Sequence, residues 1–305
     1  MKRIKVSSTQ TLVVLLLLTT ALTSRSQSIY VSTFDNTILK FAPDGSSSVF
    51  ASGLSAPEGL AFDGQGNLYV ANYGSSTIMK FTPNGVGSVF ASTGLLNPIA
   101  LAIDKSGNLY VSNEGAYDNG TQQYHSYIEK FTAAGVGSLF ADATANGPDG
   151  LACDSAGNLY AAYRGFHKEI MKFTPGGAAS IFASTSNEPQ GLAFDTLGTL
   201  YASYGPAGSI EKFSSSGTSL GVFASGMPNP VGMALDSSGN LYTANFLNPN
   251  GNVEKTTPGG VSSVFAANLH YPTFIAIIPE PASWTVLALG LGQLLVVRSH
   301  GRRTV

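Results

Sequence analysis

The stretch "PEGLAFDGQGNLYVANYGSSTIMKFTPNGVGSVFAS", Pro57 to Ser92, returns along the chain with the same residue types in register. Its tyrosine recurs at Tyr30, Tyr69, Tyr110, Tyr160, Tyr201 and Tyr242, at spacings of 39, 41, 50, 41 and 41 residues. The one long interval marks a single insertion in a regular array. Lysines keep step at Lys40, Lys80, Lys130, Lys172, Lys212 and Lys255, as do alanines at Ala61, Ala102, Ala152, Ala193, Ala234 and Ala276. Phe-Ala pairs begin at Phe50, Phe90, Phe140, Phe182, Phe223 and Phe265. A fixed period of this length is the mark of a repeat architecture.

Each unit breaks into four short apolar or alternating segments, as in "GLAFD", "NLYVAN", "TIMKF" and "GSVFAS", parted by turn residues. That is the pattern of four antiparallel strands. The first two are joined by Asp-x-x-Gly-Asn at Asp63, Asp104, Asp154 and Asp236, and by a Gly198-Thr199 variant after Asp195. Aspartate there can accept bonds from the backbone two residues on, and Gly or Asn can take a positive φ, so these carboxylates read as turn formers rather than metal ligands. Alanine in the first strand is expected where blades crowd the axis.

Six such units predict an all-β fold, a six-bladed β-propeller, whose radial repetition leaves only short strand edges. The ends are out of phase. The array starts with second, third and fourth strands ("SIYVSTF", "TILKFAP", "SSVFAS"), and the missing first strand comes last, as "YPTFIAII" from Tyr271 to Ile278. One blade is therefore expected to be shared between the termini, closing the ring.

The 305 residues carry a net charge of −2 and only 11% charged side chains, which excludes nucleic-acid binding by charge and a disordered polyanion. Residues 1–28 read as a secretory signal: Lys2, Arg3 and Lys5, then the apolar run Leu12 to Leu18, then small polar residues. Cys153 is the one cysteine, so no intrachain disulfide can form; it sits in an apolar strand phrase as a structural thiol. Residues 29–278 are the propeller. Residues 279–305 form a distinct tail, with Pro279, Glu280 and Pro281, an apolar run from Thr285 to Val297, then Arg298, Arg302 and Arg303.

The tail resembles the PEP-CTERM sorting signal of Gram-negative bacteria. The resemblance implies transient inner-membrane association through a run too short for a permanent span, cleavage near Pro-Glu-Pro by a processing enzyme of the exosortase type, and delivery to the outer surface or extracellular matrix. "PEGLAFDGQGNLYVAN" and its copies resemble NHL-repeat propellers and the six-bladed gluconolactonase-like family. One ring of this kind hosts binders, lactonases and lyases alike.

Two positions escape the repetition. The residue after the blade's first proline varies as Glu58, Ile99, Asp149, Gln190, Val231 and Thr273, and the second strand ends in Thr33, Asn72, Asn113, Tyr163, Tyr204 and Asn245. In a propeller both positions lie on one face around the central opening, so they are expected to converge as a ligand-binding face. Glu58 and Asp149 with amide oxygens form a hard-oxygen set that suits Ca²⁺, and also read as a polar rim solvating the channel mouth. The gluconolactonase-like resemblance implies a divalent metal here, with Glu58 in a comparable place and no readable equivalent for the rest of the set. The insertion from Asn113 to Tyr127 is expected to be an irregular loop offering Tyr117, Tyr124, His125 and Tyr127 to a polysaccharide or protein. A second departure, "YRGFHKE", carries Arg164, Phe166 and His167. The four histidines show no metal-ligand spacing, and no nucleophile elbow or phosphate loop is present. Together these features point to an exported, non-enzymatic binding module, with a metal-dependent lactonase or hydrolase as the rival.

Overall fold

The computed structural model describes residues 27–144, 147–163 and 168–278. Residues 1–26 of the expected signal segment, the sorting tail with its Pro279, Glu280, Pro281 and arginines, and Arg164, Phe166 and His167 lie outside the described residues.

Six four-stranded antiparallel sheets form the ring of a β-propeller. Blade 2 shows the plan, running outward from the axis as Pro57–Phe62, Leu68–Asn72, Thr77–Phe81 and Gly87–Ala91. Blade 1 is composite: its innermost strand, Pro272–Ile277, pairs antiparallel with Ile29–Thr33, setting Ile29 against Ile277 and Tyr30 against Ala276. The ring thus closes as the phase of the termini predicts.

The repeated residues have repeated jobs. The second strand of a blade is buried along its whole length, as in Leu68, Tyr69, Val70, Ala71 and Asn72. The outermost strand is exposed apart from its last two residues, which accounts for its Ser and Gly content. Each column tyrosine packs edge-on against the Phe of the Phe-Ala pair; Tyr69 meets Phe90 at 5.0 Å and Tyr160 meets Phe182 at 4.9 Å. The column lysine caps the stack, with Lys80 Nζ 4.9 Å from the Tyr69 ring centre and Lys172 Nζ 5.3 Å from that of Tyr160. This ordered aromatic layer between neighbouring sheets explains why Tyr, Phe and Lys keep register.

The aspartates are turn formers. Asp63 Oδ1 accepts from the Gln65 and Asn67 amides at 3.0 and 2.8 Å, and Asn67 Nδ2 donates to Oδ2 at 2.7 Å. Asp104, Asp154 and Asp236 repeat this arrangement. Burial alone would raise the Asp63 carboxyl. The hydrogen bonds from Asn67 and Gln65, with Lys80 nearby, outweigh it and hold the group below its usual value.

Blades approach closely near the axis at the glycine two residues before the column alanine: a Cβ on Gly59, Gly150 or Gly191 would lie 2.5, 2.0 and 2.0 Å from the carbonyl oxygens of Ile99, Gln190 and Val231 in the next blade. One expectation is corrected. The insertion is not an irregular loop. It lengthens the middle hairpin of blade 3 into strands Leu109–Asp118 and Gln123–Phe131, with Tyr117 opposite Tyr124 and Ala116 opposite His125. Its polar and aromatic residues can pair across strands, and Asp118 Oδ1 accepts from the Gly120 amide at 2.8 Å to fold the tip.

Candidate functional site

The innermost strands enter through a Pro-x-Gly phrase in four of six blades, and there the ladder breaks. Register shifts occur between Pro57 and Leu60, Pro148 and Gly150, and Pro230 and Met233. A bulge re-aims a side chain. In three blades a serine on the second strand accepts an amide of this phrase: Ser203 Oγ from Gly191 at 2.9 Å, Ser112 Oγ from Ala100 at 2.9 Å and Ser32 Oγ from Phe274 at 3.0 Å. The residue after the proline is thereby turned toward the axis.

A cavity of about 520 Å³ results, and all six of these residues line it: Glu58, Ile99, Asp149, Gln190, Val231 and Thr273. Glu58, Asp149 and Gln190 are thus brought together as expected. The second-strand ends are not among the lining residues. Asn72, Asn113, Asn245, Tyr163 and Tyr204 are buried, the two tyrosines within the hydrophobic layers between blades. Asn72 Oδ1 accepts from the Ser55 amide at 3.5 Å, Asn113 Oδ1 from that of Leu96 at 3.1 Å, and Asn245 Nδ2 donates to Asn252 Oδ1 at 2.6 Å. The Tyr204 hydroxyl donates to Glu211 at 2.7 Å.

The position one residue later faces the cavity instead. Phe34, Tyr73, Glu114 and Phe246 line it, and the Tyr73 hydroxyl donates to Glu114 Oε2. The sequence carried the signal, since these residues differ between blades as freely as Glu58 and its equivalents do. Of the insertion residues, Tyr124 borders a small cleft with Ile99, Glu114 and Asp149, so the hairpin stands beside the cavity mouth. Tyr117 stacks edge-on with Tyr124 at 5.0 Å, the Tyr127 hydroxyl donates to Gly94 O at 3.3 Å, and His125 is exposed 3.6 Å from Asp118.

Glu58 is a strongly perturbed acid of the site. Burial, with Asp149 and then Glu114 as like-charged neighbours, pushes its carboxyl up to about 8, against the opposing hydrogen bond of Thr273. Tyr73 is raised as well, by burial first and then by Glu114. A carboxyl with a folded pKa above its unfolded value binds its proton more tightly in the native state. Its stabilisation is therefore complete below the unfolded value of 4.5 and is lost as pH rises toward about 8. Glu58→Gln should remove that loss, so thermal melts of the two proteins should diverge in the variant's favour between pH 5 and 8. A melting difference constant across that range would show that the folded protein does not hold this proton.

The metal expectation is tested by the same geometry. Among the described residues, no group of three or more His, Cys, Asp or Glu side chains is gathered closely enough to hold an ion. Glu58, Asp149 and Glu114 share the lining of the cavity without forming such a group among the described residues. The Cys153 thiol, pushed up to about 12 by burial, is no nucleophile.

No family model matches the chain, and no curated protein matches it in sequence. Solved structures do resemble it. A chain of a nidogen–laminin complex superposes with a TM-score of 0.69 at 17% identity, over 83% of this chain and 98% of that one. A gluconolactonase from Xanthomonas campestris gives 0.61 at 22% identity, over 71% and 78%. Virginiamycin B lyase from Staphylococcus aureus gives 0.54 at 16% identity, over 69% of each. At these identities the likeness establishes the shared propeller fold.

Proposed function

We propose that the chain is an exported, surface-directed binding module whose axial cavity takes the end or a short segment of a surface polysaccharide. One observation carries the reading: the blades are near-copies except where they meet the cavity, and all six variable positions after the proline line it. Recognition surfaces on repeat scaffolds are built this way, with a constant frame and a variable rim. The lining suits a sugar. Phe34, Phe246 and Phe274 offer apolar faces, while carboxylates and the amides of Gln190 and Asn229 offer acceptors for hydroxyls. Export and sorting rest on the two terminal segments, and they direct the module to the cell envelope or polymer matrix.

A second reading, lactone hydrolysis, is favoured by Glu58, whose carboxyl is pushed up to about 8 by burial and the neighbouring Asp149, since a strongly perturbed carboxyl in a cavity is a candidate general acid. One preparation separates the two. Protein recovered from its native envelope is weighed intact, titrated with cell-surface polysaccharide fragments, and assayed on lactones with and without Ca²⁺ or Zn²⁺. The expected result is a mass lacking both terminal segments, saturable saccharide binding and no turnover. Metal-dependent turnover abolished by Glu58→Ala would replace the binding reading with the enzymatic one. A mass that retains Arg302 and Arg303 would mean that the tail is a permanent anchor.

A further inference from the structure

Gln27 and Ser28 read as part of the signal segment in the sequence, yet both are built into the ring. Gln27 Oε1 accepts from the Ser237 amide of blade 6 at 3.0 Å. Ser28 O accepts from the Ile278 amide at 3.3 Å, which carries the pairing of blade 1 one residue beyond Ile29 and Ile277. Gln27 also lines a cavity of about 290 Å³ at the other end of the inner strands from the axial site, between the Asp195 turn of blade 5 and the Asp236 turn of blade 6. Those two aspartates are the charged residues of the lining, and they are not equivalent. Asp236 Oδ2 accepts from Asn240 Nδ2 at 2.8 Å, as the carboxylates of Asp63, Asp104 and Asp154 accept from their own asparagines. Thr199 stands in that place in blade 5. Asp195 Oδ1 keeps the backbone bonds from Leu197 and Thr199, at 2.9 and 2.8 Å, but Oδ2 lacks the side-chain amide.

We propose that the exported chain is cut between Ser26 and Gln27, and that the α-ammonium formed there sits in this cavity beside Asp195. The proposal rests on the reading that the N-terminal segment directs export. Ser24 and Ser26 put small side chains three residues and one residue before the bond, the pattern at which a leader-cleaving protease acts. Water is the co-reactant, and hydrolysis leaves a carboxylate on Ser26 and an ammonium on Gln27. A cut after Ser28 would remove the bonds to Ser237 and Ile278, whereas a cut after Ser26 keeps both. In the uncut chain residue 27 offers one neutral N–H. After the cut it offers three donors and a positive charge to a cavity whose charged groups, Asp195 and Asp236, are both acidic. Cleavage thereby strengthens the attachment of the first strand to blades 5 and 6.

The full-length chain, expressed with its own leader in a Gram-negative host and recovered from the envelope, tests the cut by the mass of its N-terminal peptide. The expected first residue is Gln27 with an open amine. An exported protein that begins at any other residue would overturn the cut and leave export standing, and protein kept in the cytoplasm with its leader intact would remove both. A peptide that begins at Gln27 but is lighter by one ammonia would mean that the amine has closed on its own side-chain carbonyl carbon, which keeps the cut and overturns the ammonium seat. Gln27→Ala should be cut at the same bond and melt about 2–4 °C lower. Equal melting would show that Gln27 is not anchored. An α-amine titrates at about 7.7–8.0 in an unfolded chain, and a carboxylate partner raises that value on folding, so the stabilisation is whole below this range and is lost as pH rises above it. Asp195→Asn should therefore lower the melting temperature of the processed protein at pH 7 and leave it unchanged at pH 10. A difference that persists at pH 10 would show that Asp195 serves its own turn alone. The mass of the unaltered protein decides the cut whether or not the variants fold.

Discussion

Removal of Tyr271 to Ile278 is expected to abolish the soluble fold, whereas truncation immediately after Ile278 should leave a propeller that melts as the full ring does. The eight residues are the whole difference. They hold the innermost strand of blade 1, hydrogen-bonded to the first strand of the ring through Ile29, Tyr30 and Val31. Ile275 and Ala276 are buried in the interfaces on either side of that blade. Burying one such isoleucine contributes roughly 1.5–3 kcal/mol, and each strand hydrogen bond about 1 kcal/mol, against a net stability of roughly 5–15 kcal/mol for a domain. The loss spreads further. Ser32 Oγ bonds Thr273 Oγ1 at 2.8 Å and accepts from the Phe274 amide at 3.0 Å, and Gly232 of blade 6 packs on the Thr273 carbonyl. Without the strand, blades 6 and 2 lose their neighbour, and Ile29–Thr33 becomes a raw apolar edge open to other chains. Thermal melts and sedimentation of the two truncations decide it, and equal melting temperatures would mean that the ring is not closed by this strand.

The fold was readable because a propeller writes each structural job several times over. The tyrosine, phenylalanine and lysine columns report the aromatic stack between sheets, and the phase of the termini reports closure; six copies of each pattern outweigh any local ambiguity. The site was readable in part for the opposite reason, as the place where copying stops. Glu58, Asp149 and Gln190 were found that way. Asn72, Asn113 and Asn245 also end a strand near the axis, yet Asn72 and Asn113 hold connecting segments and Asn245 bonds Asn252 on the adjacent strand, while Tyr73 and Glu114 one residue on face the cavity. A shift of one residue reverses which way a side chain points in extended backbone. The bulge that sets this phase lies in the pairing between the two inner strands, which no pattern within the first strand alone records. The insertion read as a loop for a related reason: its alternation is polar and aromatic rather than apolar, so burial gave no sign of strand.

Gly191→Ala should destabilise the ring by more than about 2 kcal/mol, lowering its melting temperature by roughly 5–10 °C, while Gly64→Ala should change stability by less than about 0.5 kcal/mol. Both changes add one methyl to a glycine of the same repeat family. The Gly64 methyl would enter open space. The Gly191 methyl would sit 2.0 Å from the Val231 carbonyl oxygen and 3.0 Å from Ser203 Oγ. Neither neighbour can yield cheaply. Ser203 Oγ accepts from the Gly191 amide at 2.9 Å and donates to Val231 O at 2.7 Å, so one hydroxyl stitches two blades together at the point where the methyl would intrude. Relief requires the inner strands of blades 5 and 6 to move apart, and in a closed ring any such displacement is passed to the remaining interfaces. Blade 3 carries Ala100 at the corresponding place, and blade 1 carries Phe274, so the requirement belongs to the gap rather than to the motif. Gly150, whose methyl would lie 2.0 Å from the Gln190 carbonyl, should share the penalty. Gln190 and Val231 are also cavity residues, so spreading these strands should loosen the ligand site along with the ring. Chemical denaturation of the three variants measures the first effect, and a Gly191→Ala protein as stable as Gly64→Ala would show that blade spacing at the axis is not set by these glycines.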